Sequence, residues 1–330
     1  MLSGTPPGQN LVVQTLHGET MGTTWSVRAV LPIELSLQSW WAGIQATLDL
    51  VDGQMSTYKP QSALSCFNAA QAGSWHALPA ECFEVIAHAL DVARHSGGAY
   101  DPTVGPLVNL WGFGPAAPRR EPPSEDEIAV ARERVGWWKL KLDRATRSLY
   151  QPGGIYLDLS SVAKGYGVDL VGRYLDSVGV GAWLVEVGGE LKGRGGKPDG
   201  SPWRIGVERP GAAAGAVERM DQLSQVVTLS GRAIATSGDY RRQFEAGGRS
   251  FSHHIDPRTG QPVPHFVASV SVMARDAMQA DPMGTLMTVL GPVQGLAYAR
   301  EHDLAVLFIV HGKNGPEERI SPAFAEALRA

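Results

Sequence analysis

The stretch "LDLSSVAKGYGVD", residues 157–169, sets Asp158, Ser161, Lys164 and Asp169 where an apolar run turns into a glycine-punctuated helical pattern. A helix start exposes N–H groups, and a lysine one turn inside adds a cation, so this junction can hold an anion. Asp158 just ahead does not suit phosphate alone; it suits a donor-bearing ring or a metal-bound group. The same residues also read as a plain capped helix, with Ser160 or Ser161 as N-cap and Val171, Leu175 and Val178 as its buried face. Gly165, Gly167 and Gly172 argue for more, because each costs about 1 kcal/mol against alanine unless something packs closely on it.

In "ADPMGTLMTVLG", residues 280–291, Asp281 sits at a helix start with Pro282 at the first helical position and Thr285 one turn on. A carboxylate and a hydroxyl on one face are hard oxygen ligands that suit magnesium or calcium, although capping alone also accounts for Asp281. "FSHHIDPRTG", residues 251–260, ends a strand with adjacent histidines and turns through Asp256, Pro257 and Gly260. Neighbouring strand residues face opposite ways, so one of His253 and His254 is expected to be structural and the other available for acid or base work. "IATSGDYRRQF" adds Ser237, Asp239, Arg241 and Arg242 to the same region. Ser161 and Lys164 also form an SxxK pair, the signature of serine acyl hydrolases, with only a loose echo of KTG in "RTG" at 258–260 and no SDN-like element between. No glycine-rich piece fits GxGxxG or GxxxxGK[ST], so dinucleotide-fold and P-loop readings fail.

These residues need elements to hold them. Alternation around glycines over residues 11–31 predicts two strands joined by a turn, and spacing through Leu37, Trp41, Ile44, Leu48 and Val51 predicts a helix over 37–52. Further helices are predicted over 81–95, 161–178, 282–290 and 292–302. Strands are predicted near 155–159, over 183–192, 203–208, 225–236, 266–274 and 304–310. The proline-rich segment 114–127 reads as a surface excursion. Strands and helices interleave without a βαβ rhythm, which makes the class α+β.

The 330 residues are 43% apolar and 19% charged, with a formal net charge of −4, so the chain can bury a large core and carries no basic footprint for nucleic acid. Cys66 and Cys82 fit no metal or CxxC spacing and read as fillers or as one disulfide. No run of 18 apolar residues exists.

Taken together, "MGTTW", "STYKPQSALSCFN", "GAYDPTVGPLVNLWGFG", "LDLSSVAKGYGVD", "VEVGGE", "ATSGDY", "HHIDPRTG" and "ADPMGTLMTVLG" resemble, in this order, the ApbE family of FAD:protein FMN transferases. The resemblance runs from about residue 17 to 312. It implies a T-fold-like α+β domain over 11–330, preceded by a flexible leader, with two intimate α/β lobes and FAD in the cleft between them. It implies magnesium at the diphosphate, transfer of FMN to a threonine hydroxyl, and release of AMP; some members instead hydrolyse FAD to FMN and AMP. Carried over by position, flavin and adenine contacts fall on Met21, Tyr58, Ala99, Tyr100, Asp101, Asp158, Lys164 and Ile255. The metal falls to Asp281, Thr285 and the carbonyl of Ser161, and the acid or base to His253. Tyr58 stands where members that favour transfer carry an aromatic residue. Implied acceptors are membrane-associated redox proteins, such as subunits of sodium-pumping quinone reductase, Rnf-type complexes and nitrous-oxide-reductase maturation proteins. The "SGTPPGQN" leader resembles the spacer behind an export signal, which sets the expectation of a periplasmic lipoprotein.

Overall fold

The computed structural model describes residues 10–114, 119, 121–209, 223–238, 243–246, 249–263, 267–313 and 315–329. Eight strands form its main sheet: β1 (Leu11–Thr20), β2 (Thr23–Pro32), β3 (Trp183–Val187), β4 (Glu190–Arg194), β5 (Arg232–Gly238), β6 (Val267–Ala274), β7 (Ala305–Gly312) and β8 (Gly315–Ile320). They lie side by side in chain order, and every pairing is antiparallel. Helices and smaller sheets are inserted between consecutive strands, which is why the sequence shows no βαβ rhythm.

Both faces of the sheet are covered. Along β7, Val306, Phe308 and Val310 enter the core under the helices, whereas Ala305, Leu307 and Ile309 enter a second core under the hairpin of strands Trp203–Glu208 and Leu223–Leu229. This two-sided burial explains the unbroken apolar run at 304–310. Four helices matter for the site: α1 (Gln38–Met55), α2 (Ala80–His95), α3 (Ala163–Ser177) and α4 (Ala277–Glu301).

Several sequence expectations change. The predicted strand at 155–159 is extended but joins no ladder, because side chains take its backbone groups. Asn68 accepts from Leu157 N–H and donates to its carbonyl (2.8 and 2.9 Å), Gln151 does the same for Ile155 (3.3 and 3.0 Å), and Asp158 N–H donates to the carbonyl of Pro102 (2.8 Å). The 183–192 segment is a hairpin, β3–β4, turning at Gly188 and Gly189, both at positive φ as a two-residue turn of this kind requires. The 225–236 segment is two strands belonging to different sheets. The predicted division between helices 282–290 and 292–302 holds, since Gly291 (φ 70°, ψ 173°) is a non-helical kink within Ala277–Glu301; what changes is that the first of the two starts earlier, at Ala277. Both cysteines are free, Cys66 exposed and Cys82 buried, so the disulfide alternative falls. Within 114–127, the described part carries an Arg119–Glu127 ion pair and a capping box at Ser124 that starts the helix Glu125–Arg132. The leader up to residue 9, and Asp239, Arg241 and Arg242, lie outside the described residues.

Candidate active site

Helices α3 and α4 cap each other. Neither start has a side-chain cap of its own, so the expected Ser160 or Ser161 cap is absent and α3 begins at Ala163. The N–H of Gly165, in the first turn of α3, donates to Asp281 Oδ2 on α4 (2.9 Å). In return Asp169 on α3 accepts from Ala277 and Met278 N–H at the start of α4 (3.1 and 2.9 Å). Asp281 is therefore not the N-cap of its own helix, which starts four residues earlier because Asp169 satisfies its first donors. Pro282 correspondingly lies inside α4.

The exchange of carboxylates demands close contact, and Gly165 permits it. A Cβ there would lie 2.3 Å from the carbonyl oxygen of Ala277 and 2.9 Å from Asp281 Cβ. The other glycines of α3 serve the same end: a Cβ on Gly167 would press on Leu48 and Met21, and one on Gly172 would overlap Trp183. Close packing thus accounts for all three helix-weakening residues.

At this crossing Lys164 is held between two acids. Its Nζ lies 2.8 Å from Glu190 Oε1 and 3.5 Å from Asp281 Oδ1, and both carboxylates are buried. Burial alone would lower the Lys164 pKa, but Asp281 and then Glu190 outweigh it and keep the ammonium charged. Burial, and then repulsion from Asp281, raise the Glu190 pKa, and Lys164 opposes the rise. Glu190 Oε2 is buried and has no hydrogen-bond partner among the described residues.

The cluster opens into a cavity of about 560 Å³ walled by β4, β5, α3, α4 and the segments 99–108, 158–161, 205–209 and 253–257. Ten of the twelve residues singled out from the sequence line it: Ala99, Tyr100, Asp101, Asp158, Ser161, Lys164, His253, Ile255, Asp281 and Thr285. Met21 and Tyr58 do not. Met21, at φ 47° in the β1–β2 turn, packs half-buried against two cores, and Tyr58 stands 69% exposed on the loop after α1.

Several of the ten are already committed within the protein. Asp101 Oδ1 accepts from the N–H and hydroxyl of Thr103 (2.8 and 2.7 Å), and its Oδ2 from Trp137 N–H (3.2 Å). Burial raises its pKa and these bonds oppose the rise. Asp158 Oδ1 accepts from Ser160 N–H (2.9 Å), which turns the chain into α3. The Ser161 hydroxyl pairs with the Tyr100 hydroxyl at 3.1 Å. Burial raises the Tyr100 pKa. A charged Lys164 bound to two carboxylates cannot deprotonate that serine, so the SxxK reading has no base.

The histidines depart from the strand expectation. The strand ends at Ser252, both histidines line the cavity, and their rings lie with centroids 4.0 Å apart, tilted by 43°. His254 is the buried one, with its N–H donating to Ser252 Oγ (3.1 Å) and its carbonyl accepting from Val263 N–H (2.9 Å). His253 is half-buried, against the edge of Phe113. The turn that follows is pinned by Trp111, whose indole N–H donates to the carbonyl of Gly260 (2.9 Å).

The sequence pattern of the ApbE family matches residues 21–308. The chain belongs to the ApbE family. A Haemophilus influenzae FAD:protein FMN transferase is 39% identical over 319 residues, covering 94% of this chain and 90% of that protein. A Vibrio cholerae protein of the same name is 39% identical, with 95% and 92% covered. Among solved structures, the apo form of Pseudomonas stutzeri flavinyl transferase ApbE superposes with a TM-score of 0.88 at 38% identity over 99% of both chains. Six of the eight quoted motifs thus meet at one cavity, all but "MGTTW" and "STYKPQSALSCFN". The residue that sequence reading passes over there is Glu190, although it closes the quoted motif "VEVGGE".

The donor set fits a hard divalent cation. Asp281 and Thr285, one helical turn apart, and Ser161 all line the wall, and Glu190, another lining residue, carries a buried carboxylate oxygen with no hydrogen-bond partner among the described residues. Among the described residues no group of three His, Cys, Asp or Glu side chains is placed to hold a metal ion, so a cation here would rest on one carboxylate with hydroxyl and backbone oxygens.

Proposed function

We propose that this chain transfers FMN from FAD to a threonine hydroxyl of an acceptor protein and releases AMP, in a reaction that needs magnesium. The observation that carries this reading is the cluster of Lys164 with the buried carboxylates of Glu190 and Asp281, in the wall of the cavity where six of the quoted motifs meet, in a chain whose relatives are named FAD:protein FMN transferases.

Asp281, Thr285 and the Ser161 carbonyl would hold the ion. When bound, magnesium offsets phosphate charge and polarises the phosphorus. Lys164, the second residue of α3, supplies a positive charge, and that helix directs its first N–H groups to the same end. Tyr100, Asp101 and Ile255 shape the wall that receives the nucleotide. His253 takes the proton of the incoming hydroxyl on a ring nitrogen. The threonine oxygen forms a bond to the FMN phosphorus, the bond from that phosphorus to the AMP oxygen breaks, and AMP leaves with the electron pair.

The test is to mix protein, FAD, magnesium and a threonine-bearing acceptor. A fluorescent flavin band that survives a denaturing gel supports transfer; FMN and AMP in solution without such a band support FAD hydrolysis instead. Tyr58 favours transfer, since it places an exposed aromatic ring where transferring members carry one. His253→Ala should lower kcat by about 10²-fold or more while leaving the KM for FAD within about threefold. A raised KM with unchanged kcat would demote His253 to substrate binding.

The acceptor class proposed is a membrane-associated redox protein, and the place of action the periplasmic face, with the native protein lipid-anchored. Mass spectrometry of the natively produced N-terminus decides the last point.

A further inference from the structure

Glu190 is the first residue of β4, opposite Val187 across the Gly188–Gly189 turn. The turn controls Lys164 twice. A Cβ on Gly188 would lie 3.2 Å from Lys164 Cδ, so the tip rests on the lysine stem, and Glu190 then receives the ammonium. The contacts of that ammonium are unequal, 2.8 Å to Glu190 and 3.5 Å to Asp281. Asp281 already gives Oδ2 to the Gly165 N–H, which leaves Oδ1 as the oxygen facing Lys164. Any cation that takes Asp281 through Oδ1 must compete with this ammonium for it.

We propose that Glu190 is a positioning residue: it draws the Lys164 ammonium to the β3–β4 side and so leaves Asp281 Oδ1 open to a divalent cation. Without Glu190, Lys164 closes onto Asp281 and occupies the oxygen that the ion needs. The inference deepens the proposed function and rests on it for the presence of the ion. It assigns a role to a side chain 3% exposed that sits 91 residues from Asp281 in sequence (281 less 190) and touches the ion only through another residue.

The experiment is a Mn²⁺ titration of FAD-free protein, followed by the paramagnetic signal of the free ion, with no acceptor present. Glu190→Gln should weaken Mn²⁺ binding about tenfold or more, the range seen for partners that orient metal ligands, and Glu190→Asp should restore most of it. In a Lys164→Met background, where nothing competes for Asp281, adding Glu190→Gln should change binding less than about threefold. An undiminished loss in that background would overturn the proposal, because Glu190 would then act on the ion directly. Unchanged binding in the single variant would also overturn it. Should Glu190→Gln or Lys164→Met alone not fold, the double variant, in which Asp281 keeps its Gly165 N–H and has no ammonium to compete for it, is compared directly with the wild type: Mn²⁺ binding at the wild-type level or above supports the proposal, and a loss of about tenfold or more overturns it. A wild-type protein that binds Mn²⁺ but fails these tests sinks only this inference; one that neither binds Mn²⁺ nor transfers FMN sinks the functional reading itself.

Discussion

Asp281→Asn should lower FMN transfer by about 10³-fold or more, which corresponds to roughly 4 kcal/mol of transition-state stabilisation. The amide keeps a carbonyl oxygen to accept from Gly165 N–H, so the capping of α3 survives and the unfolding midpoint should move little. What it loses is the charge that a divalent ion and Lys164 both require. Asp281→Ala is the harsher change. It orphans a buried N–H and removes one of the two carboxylates from a half-buried ammonium, at a cost of about 1–3 kcal/mol, so lost activity there mixes chemistry with folding. Steady-state transfer and thermal unfolding on both variants separate the two effects. Transfer by Asp281→Asn at near wild-type rate, with saturating FAD and magnesium, would remove Asp281 from the metal site.

The second large effect is on stability. Gly165→Ala adds a methyl group whose carbon would sit 2.3 Å from a backbone carbonyl oxygen and 2.7 Å from its carbon, atoms that cannot swing aside. The helices must separate, at a cost of about 1–3 kcal/mol or more, and both reciprocal caps stretch with them. Activity should fall as well, because Lys164 and Asp281 face each other across that contact. Gly53 in α1 is the opposite case: it is an exposed helical glycine, and a methyl group added there would meet nothing within 4 Å. Gly53→Ala should therefore stabilise by up to about 1 kcal/mol. Denaturant unfolding of the two variants should give shifts of opposite sign, and a neutral Gly165→Ala would mean that α3 and α4 are not in such close contact.

The sequence shows which residues meet more fully than how they are held. The motif spacing brings ten residues to one cavity, and the excess of glycine in residues 165–172 announces a close contact without naming its partner. The helix starts are misread for one physical reason. Capping rules look within four residues, whereas α3 and α4 are capped by carboxylates 116 and 108 residues away. Pro282 reads locally as a first-turn residue, yet tertiary capping lets α4 begin before it. Residues 155–159 look like a strand because they are apolar and extended, but the side chains that satisfy their backbone come from Asn68 and Gln151. Glu190 is overlooked because an acid after a glycine turn has no signature until its lysine is in place.

The most direct measurement is the mass of a purified acceptor protein after incubation with wild-type enzyme, FAD and magnesium, alongside Asp281→Asn. A gain equal to FMN less one water, localised to a single threonine and lost with Asp281→Asn or chelator, is the predicted result. Unmodified acceptor with FAD intact, or equal modification by both proteins, would contradict the account.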